Sequence, residues 1–309
     1  MSGVLPASDV RISTESGAPA RARPGSREFS AYRHCEAVTR RSGSSFAAAF
    51  WMLPRPRRRA LHAIYAFCRL ADDIADAPEI QGDRGVLLTR WREELDAAYR
   101  GVPTHPVGIA LSDAVRRFAL PQEDFSDLLR GVESDLFAER IKTWRDLERY
   151  CDRVASTVGR LLVRVLGFHN VRSLDYATEM GIAVQLTNIL RDVGEDAAAG
   201  RIYLAQEDLE RLDVRPEMLL EKPLRDELRM LLALYAERAR IHYERAAEIL
   251  PEEDRRGLRP AQAMGRIYRT LLEELQQQGF PCLDGALRLS RRRRLGIAAG
   301  VWIGAGGRQ

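Results

Sequence analysis

Lysine is almost absent from this chain: of its 48 basic residues only Lys142 and Lys222 are lysines, and the rest are arginines. Cysteine is scarce, and Cys35, Cys68, Cys151 and Cys282 lie far apart with no CxxC pair. That spacing argues against a thiolate metal site or a disulfide framework and suits a reducing compartment. Long apolar runs are also missing. No window reaches the roughly 20 apolar residues that span a bilayer, and LGIAAGVWIGAGG near the C-terminus is too short. Residues 1–28 contain no apolar core run of the signal-peptide kind, so the expected location is the cytoplasm. A net charge of +4 makes no electrostatic case for nucleic acid. P-loop and GxGxxG fingerprints are absent, so nucleotide chemistry is not indicated. His34, His62, His105, His169 and His242 lie in no catalytic motif, and each reads as a surface or packing histidine.

Strand-like alternation is nearly missing too. Helical periodicity fills the space. Residues 1–28 are rich in Ser, Gly, Pro, Ala and Arg and are expected to form a disordered N-terminal extension. From about Phe29 the pattern turns helical. RRRALHAIYAFCRLADDIAD carries an apolar face at the 3.6-residue period with no internal Gly or Pro. WRDLERYCDRVASTVGRLLVRVLG, LDYATEMGIAVQLTNILRDVGED and LRDELRMLLALYAERARIHYERAAEIL read the same way. The spacing predicts an all-α domain over residues 29–295, without solenoid repeats, followed by a tail over 296–309. Into this tail runs RLSRRRRLGIAAGVWIG, an arginine run followed by a short apolar run. It is expected to pack as a last helix, with peripheral contact to anionic lipid as the alternative.

Two acidic clusters interrupt the apolar helices. Residues three or four apart share a helix face, so Tyr65, Arg69, Asp72 and Asp76 line one stripe. Gln185, Asn188, Asp192 and Asp196 line a second. The flanking sequences HAIYAFCRL and GIAVQLTNIL are too apolar all round for surface helices. A polar stripe inside such a helix costs free energy unless it is paired or binds metal. Oxygen ligands at i and i+4 without His or Cys suit a hard cation such as Mg²⁺, which completes its shell with phosphate oxygens. Arg69, Arg191 and Arg201 can add forked hydrogen bonds to a diphosphate. Such a site fits departure of diphosphate from an allylic carbon, with the cation kept dry by apolar and aromatic walls. Phe46, Phe50, Trp51, Phe67, Tyr203 and Tyr268 are wall candidates.

YAFCRLADDIAD (65–76) and QLTNILRDVGEDAAAGRIYL (185–204) resemble the two aspartate-rich signatures of the squalene/phytoene synthase family. SGSSFAAAFWMLPRPRR (42–58) resembles the family's N-terminal flap, and YCDRVASTVG (150–159) its central motif. The likeness runs over about residues 38–295, with four motifs in the family's order. It implies an isoprenoid synthase fold with a central cavity and head-to-head condensation of two prenyl diphosphates. By the same resemblance Asp72, Asp76, Asn188, Asp192 and Asp196 would be Mg²⁺ ligands. Tyr65, Arg69, Gln185, Arg191, Arg201, Tyr203 and Tyr268 match positions that contact substrate or diphosphate. Ser45 and Phe46 match the flap that meets one diphosphate.

Asp152 stands where many family members carry an aromatic residue. YCDRVASTVGRLLVRVLG is more similar to the bacterial presqualene diphosphate synthases of the hopanoid pathway, which stop at the cyclopropyl intermediate. The implied reaction joins two farnesyl diphosphates and needs no NADPH. LRDVGEDAAAGRIYL suits a phytoene synthase, acting on geranylgeranyl diphosphate, equally well. A non-catalytic assembly factor of the same fold is the remaining alternative, and the retained acidic residues argue against it. Gly285 and Ala286 depart from the family pattern, which has a basic pair before LRLS. Arg288 or Arg294 is then the expected substitute.

Overall fold

A computed structural model of the chain describes residues 24–41, 53–77, 80, 82–137, 139–283 and 285–303, and these contain helices and turns but no strand. The chain divides into two compact units, residues 1–136 with 164–166 and residues 137–163 with 167–309.

The first unit holds α1 (Pro24–Arg41), α2 (Arg55–Asp76), α3 (Arg84–Arg100), α4 (Pro106–Phe118) and α5 (Gln122–Leu136). Helix α1 starts inside the stretch expected to be disordered, because Pro24 has the fixed φ that a first helical turn requires; residues 1–23 lie outside the described residues. The unit's core forms around α2. Phe67, 1% exposed, stacks on Trp91 at 5.1 Å and meets Phe125 edge-on at 5.3 Å. This places Phe67 in the core and not in a cavity wall, since its side of α2 faces α3 and α5. Local chemistry sets the helix ends. The Asp83 carboxylate accepts from the N–H groups of Gly85 (2.8 Å) and Val86 (3.2 Å) to cap α3. Gly101, at φ +80°, closes α3 in the left-handed conformation. Buried Glu94 accepts from the Thr104 N–H, the Thr104 hydroxyl and the His105 N–H at 2.8–2.9 Å, fixing the turn into α4.

The second unit opens with α6 (Trp144–Cys151), a π-helical turn (Asp152–Ser156) and α7 (Thr157–Leu166), whose last three residues count with the first unit. Then come α8 (Arg172–Ala198), α9 (Gln206–Arg211), α10 (Asp226–Ile249), α11 (Glu252–Arg255), α12 (Arg259–Gln277) and α13 (Arg291–Ile303). Helix α8 is its axis. Leu186 and Leu190 of α8 join Leu231, Leu232, Tyr235 and Ala239 of α10 in one buried cluster. Gly181 lets α8 approach the π-turn, for a Cβ there would lie 2.5 Å from the Ser156 Cα. Helix α13 crosses the boundary drawn at 295 and packs on α12, as the last-helix reading expected.

The N-terminal end of α8 is tied by Asp254, 2% exposed. Its carboxylate accepts from the backbone N–H groups of His169 (2.7 Å) and Asn170 (3.0 Å) and from the Ser173 hydroxyl (2.7 Å). Burial pushes its pKa up, but these donors and the His169 ring outweigh that and hold it at about 2. A depressed carboxyl pKa contributes stability that is complete above the unfolded value near 4 and is lost as pH falls through about 2. Urea unfolding of Asp254→Ala should show a loss of about 1–3 kcal/mol at pH 7, since it strands several donors. The loss should shrink as pH falls below 4, and a constant difference down to pH 2 would contradict this account.

Candidate functional site

The sequence stripe on α2 is the stripe the fold leaves open. From Ala60 to Ala77 every residue is buried except Tyr65, Arg69, Asp72 and Asp76. The three neighbouring aspartates therefore divide. Asp72 and Asp76 reach solvent, whereas Asp73, 2% exposed, points inward and binds the Arg69 guanidinium at 2.7 Å. Asp73 is a site residue that the face argument passed over, because its role is to hold Arg69. The surrounding protein, and then the charge of Asp76 one turn on, raise the Asp72 pKa to about 8, with Arg69 partly opposing them.

Helix α8 repeats the arrangement. From Gly181 to Val193 only Gln185, Asn188, Arg191 and Asp192 escape full burial. Asn188 and Gln185 meet through their amides at 3.4 Å, and the Asn188 Oδ1 is buried with no hydrogen-bond donor among the described residues. The Arg191 Nε donates to Asp192 Oδ1 at 2.7 Å. Burial lowers the Arg191 pKa, but Asp192 and the hydroxyl of Tyr268 outweigh it and hold the guanidinium fully charged. Asp196, one turn on, lies 3.6 Å from Arg201. Glu195, crowded beside it in sequence, turns outward and accepts from the Ala286 N–H at 3.3 Å. Among the described residues no group of three or more His, Cys, Asp or Glu forms a closed metal cage. The stripes offer carboxylate and amide oxygens in open array, the pattern from which Mg²⁺ completes its shell with phosphate and water.

The turn after α8 brings Tyr203 against Tyr150, ring on ring at 5.1 Å. In the central motif, Asp152 pairs with Arg160 at 2.7 Å, and Arg160 also donates to the Thr178 hydroxyl of α8 at 3.2 Å. Sequence reasoning singled out Asp152 and missed Arg160, because their contact spans the π-turn and a 3.6-residue period does not show it. Gly285 adopts φ +118°, which a basic residue tolerates poorly, and this accounts for one departure from the family pattern. Arg288 is exposed and Arg294 is half-buried in the first turn of α13. The flap candidates Ser45 and Phe46 and the wall candidates Phe50 and Trp51 lie outside the described residues.

The squalene/phytoene synthase family model matches residues 39–293. A presqualene diphosphate synthase of Rhodopseudomonas palustris is 37% identical over 257 residues, covering 82% of this chain and 91% of that protein. A 15-cis-phytoene synthase of Synechococcus elongatus is 33% identical over 262 residues, covering 81% of this chain and 85% of that protein. Among solved structures, a dehydrosqualene synthase in complex with ligand superposes with a TM-score of 0.81 at 32% identity, covering 93% of this chain and all of that one. A squalene synthase of Alicyclobacillus acidocaldarius gives 0.71 at 29% identity, covering 82% of this chain and 96% of its own.

Adjacent aspartates with different surroundings should respond in opposite directions. Asp73→Ala leaves the half-buried Arg69 without its counter-ion, and metal-free urea unfolding should show a loss of about 3 kcal/mol. Asp72→Asn removes a charge that the fold disfavours. A raised carboxyl pKa makes the ionised form costly between the unfolded value near 4 and about 8. The stabilisation from Asp72→Asn should therefore grow across that window. Equal effects of the two substitutions would contradict the inward and outward assignment.

Proposed function

The chain belongs to the squalene/phytoene synthase family, a family of prenyltransferases of all-α isoprenoid synthase fold, and we propose that it is a presqualene diphosphate synthase. Two farnesyl diphosphates combine head to head. One loses its diphosphate at C1, the double bond of the other attacks that carbon, and closure of the cyclopropane releases a proton. The products are presqualene diphosphate and diphosphate, for squalene and hopanoid synthesis. The observation that carries the general reading is the pair of helices buried all round except for one carboxylate-bearing stripe. The finer reading draws on the 37% identity to a presqualene diphosphate synthase and on Asp152 in place of an aromatic residue.

Asp72 and Asp76 on α2, and Asn188, Asp192 and Asp196 on α8, would hold Mg²⁺. Asn188 supports the fit, because a buried acceptor without a donor is costly until something positive meets it. Bound Mg²⁺ would neutralise the departing diphosphate. Arg69, Arg191 and Arg201 supply forked donors, and Arg191 and Arg201 exchange their present carboxylate partners for diphosphate oxygens. Arg191 stays aligned through Tyr268. The stacked rings of Tyr150 and Tyr203 offer π faces to cationic carbon. The cytoplasmic face of a membrane is the natural place to release such a product. There Arg291, Arg292 and Arg293, all exposed beside the exposed Leu295, would touch anionic lipid. No described helix is long and apolar enough to cross a membrane.

The purified protein with Mg²⁺ should convert farnesyl diphosphate to presqualene diphosphate without NADPH and leave geranylgeranyl diphosphate unreacted. Phytoene from the second substrate would make the protein a phytoene synthase instead. No condensation by folded protein would favour a non-catalytic role. Asp72→Asn should cut turnover at least about 100-fold with an unchanged helical circular-dichroism spectrum. Vesicles containing phosphatidylserine should carry the protein down on centrifugation at low salt and release it at high salt, and no binding at low salt would remove the lipid contact.

A further inference from the structure

Residues 199–205 connect α8 to α9 and carry both Arg201 and Tyr203. The first end of this segment is fixed by α8 itself, where the Arg201 N–H donates to the Asp196 carbonyl at 2.8 Å. The far end is held by a network outside both stripes. The Ala205 N–H donates to the Tyr235 hydroxyl oxygen at 2.7 Å, and Tyr235, on α10, is fully buried. The same hydroxyl donates to Asp208 Oδ2 at 3.2 Å. Asp208 is 2% exposed and is bound by the guanidinium groups of Arg238 and, at 2.8 Å, Arg211. Arg238 also lies 4.1 Å above the Trp144 ring, whose edge meets Tyr235. The N–H groups of Gln206 and Glu207 complete the anchor by donating to the carbonyls of Ile141 (2.9 Å) and Lys142 (3.1 Å).

We propose that Tyr235, backed by Asp208 and Arg238, is a positioning residue that fixes Arg201 for diphosphate binding. A phenol is the one aromatic side chain here that can accept from Ala205 and donate to Asp208 at once. Phenylalanine would keep the ring packing and lose both bonds, leaving a buried N–H unpaired at the exit of the loop. Neither Tyr235 nor Asp208 lies in an aspartate-rich signature. Their effect on chemistry runs through four residues of backbone, from Ala205 back to Arg201. The inference rests on the reading of Arg201 as a diphosphate contact.

Calorimetric titration of the full chain with inorganic pyrophosphate and Mg²⁺ tests it without reference to prenyl chain length. Tyr235→Phe and Arg201→Ala should each weaken pyrophosphate binding about tenfold. The double variant should bind within about twofold of Arg201→Ala, because a residue that acts only through Arg201 has nothing left to position. Unchanged affinity in Tyr235→Phe, with Arg201→Ala weakened, would overturn the positioning role and leave the proposed function standing. Independent, multiplying effects would overturn it too. Unchanged affinity in Arg201→Ala would overturn both the positioning role and the diphosphate contact. Should Tyr235→Phe fail to fold, Asp208→Asn, which keeps the shape and removes the charge that Arg238 and Arg211 bind, should give the same non-additive pattern against Arg201→Ala.

Discussion

A helix surrounded by protein loses stability for each polar group that finds neither a partner nor a way out to water, and the apolar stretches of α2 and α8 each leave one polar stripe open. Some of their inward polar groups are paired. Asp73 holds Arg69 on α2. On α8 the Thr187 hydroxyl bonds its own Ala183 carbonyl at 2.8 Å and the Tyr243 hydroxyl at 3.0 Å. Their outward polar groups are gathered on single stripes, with apolar neighbours sealed on every other side. Carboxylates concentrated this way repel each other, and a bound cation would relieve the repulsion. The packing that stabilises each unit thus also confines charge to one narrow face.

Holding α8 close to its neighbours depends on small residues and on one irregular turn. The π-turn lets the Thr157 N–H reach the Asp152 carbonyl, one residue further than in an α-helix. That widening brings the Ser156 backbone against Gly181, while the Ser156 hydroxyl donates to the Thr178 carbonyl at 2.8 Å. Asp152, Arg160 and Thr178 then tie the two helices by side chains. Replacing Asp152 by an aromatic residue would remove its 2.7 Å ion pair with Arg160.

Both stripes were legible in the sequence because helical spacing is a local property. Tyr65, Arg69, Asp72 and Asp76 follow from counting by threes and fours. So do Gln185, Asn188 and Asp192. What escaped was everything that depends on which neighbour a face meets. Asp73 lies off the stripe, and only the fold shows that it turns inward to hold Arg69. Phe67 looks like a cavity wall until Trp91 and Phe125 enclose it. Arg160 and Tyr235 lie outside the signatures, and their partners are 8 and 30 residues away. The start of α1 was placed late because Ser, Gly and Arg around Pro24 dilute the apolar period on which the boundary was judged.

The two stripes are not electrostatically equivalent. On α8 the carboxylates of Asp192 and Asp196 each have an arginine, Arg191 and Arg201, that neutralises them in the metal-free protein. On α2 the Arg69 guanidinium is bound by Asp73, and burial and then the neighbouring Asp76 charge raise the Asp72 pKa to about 8. Under the proposed function a cation at Asp192 and Asp196 would displace a guanidinium, whereas at Asp72 it would relieve a charge that the surroundings disfavour. A guanidinium displaced in this way would stay on the same helix or on the loop that follows it, able to bind a diphosphate oxygen. Arginine suits that exchange better than lysine, because its fork matches a carboxylate and a phosphate with the same pair of donors.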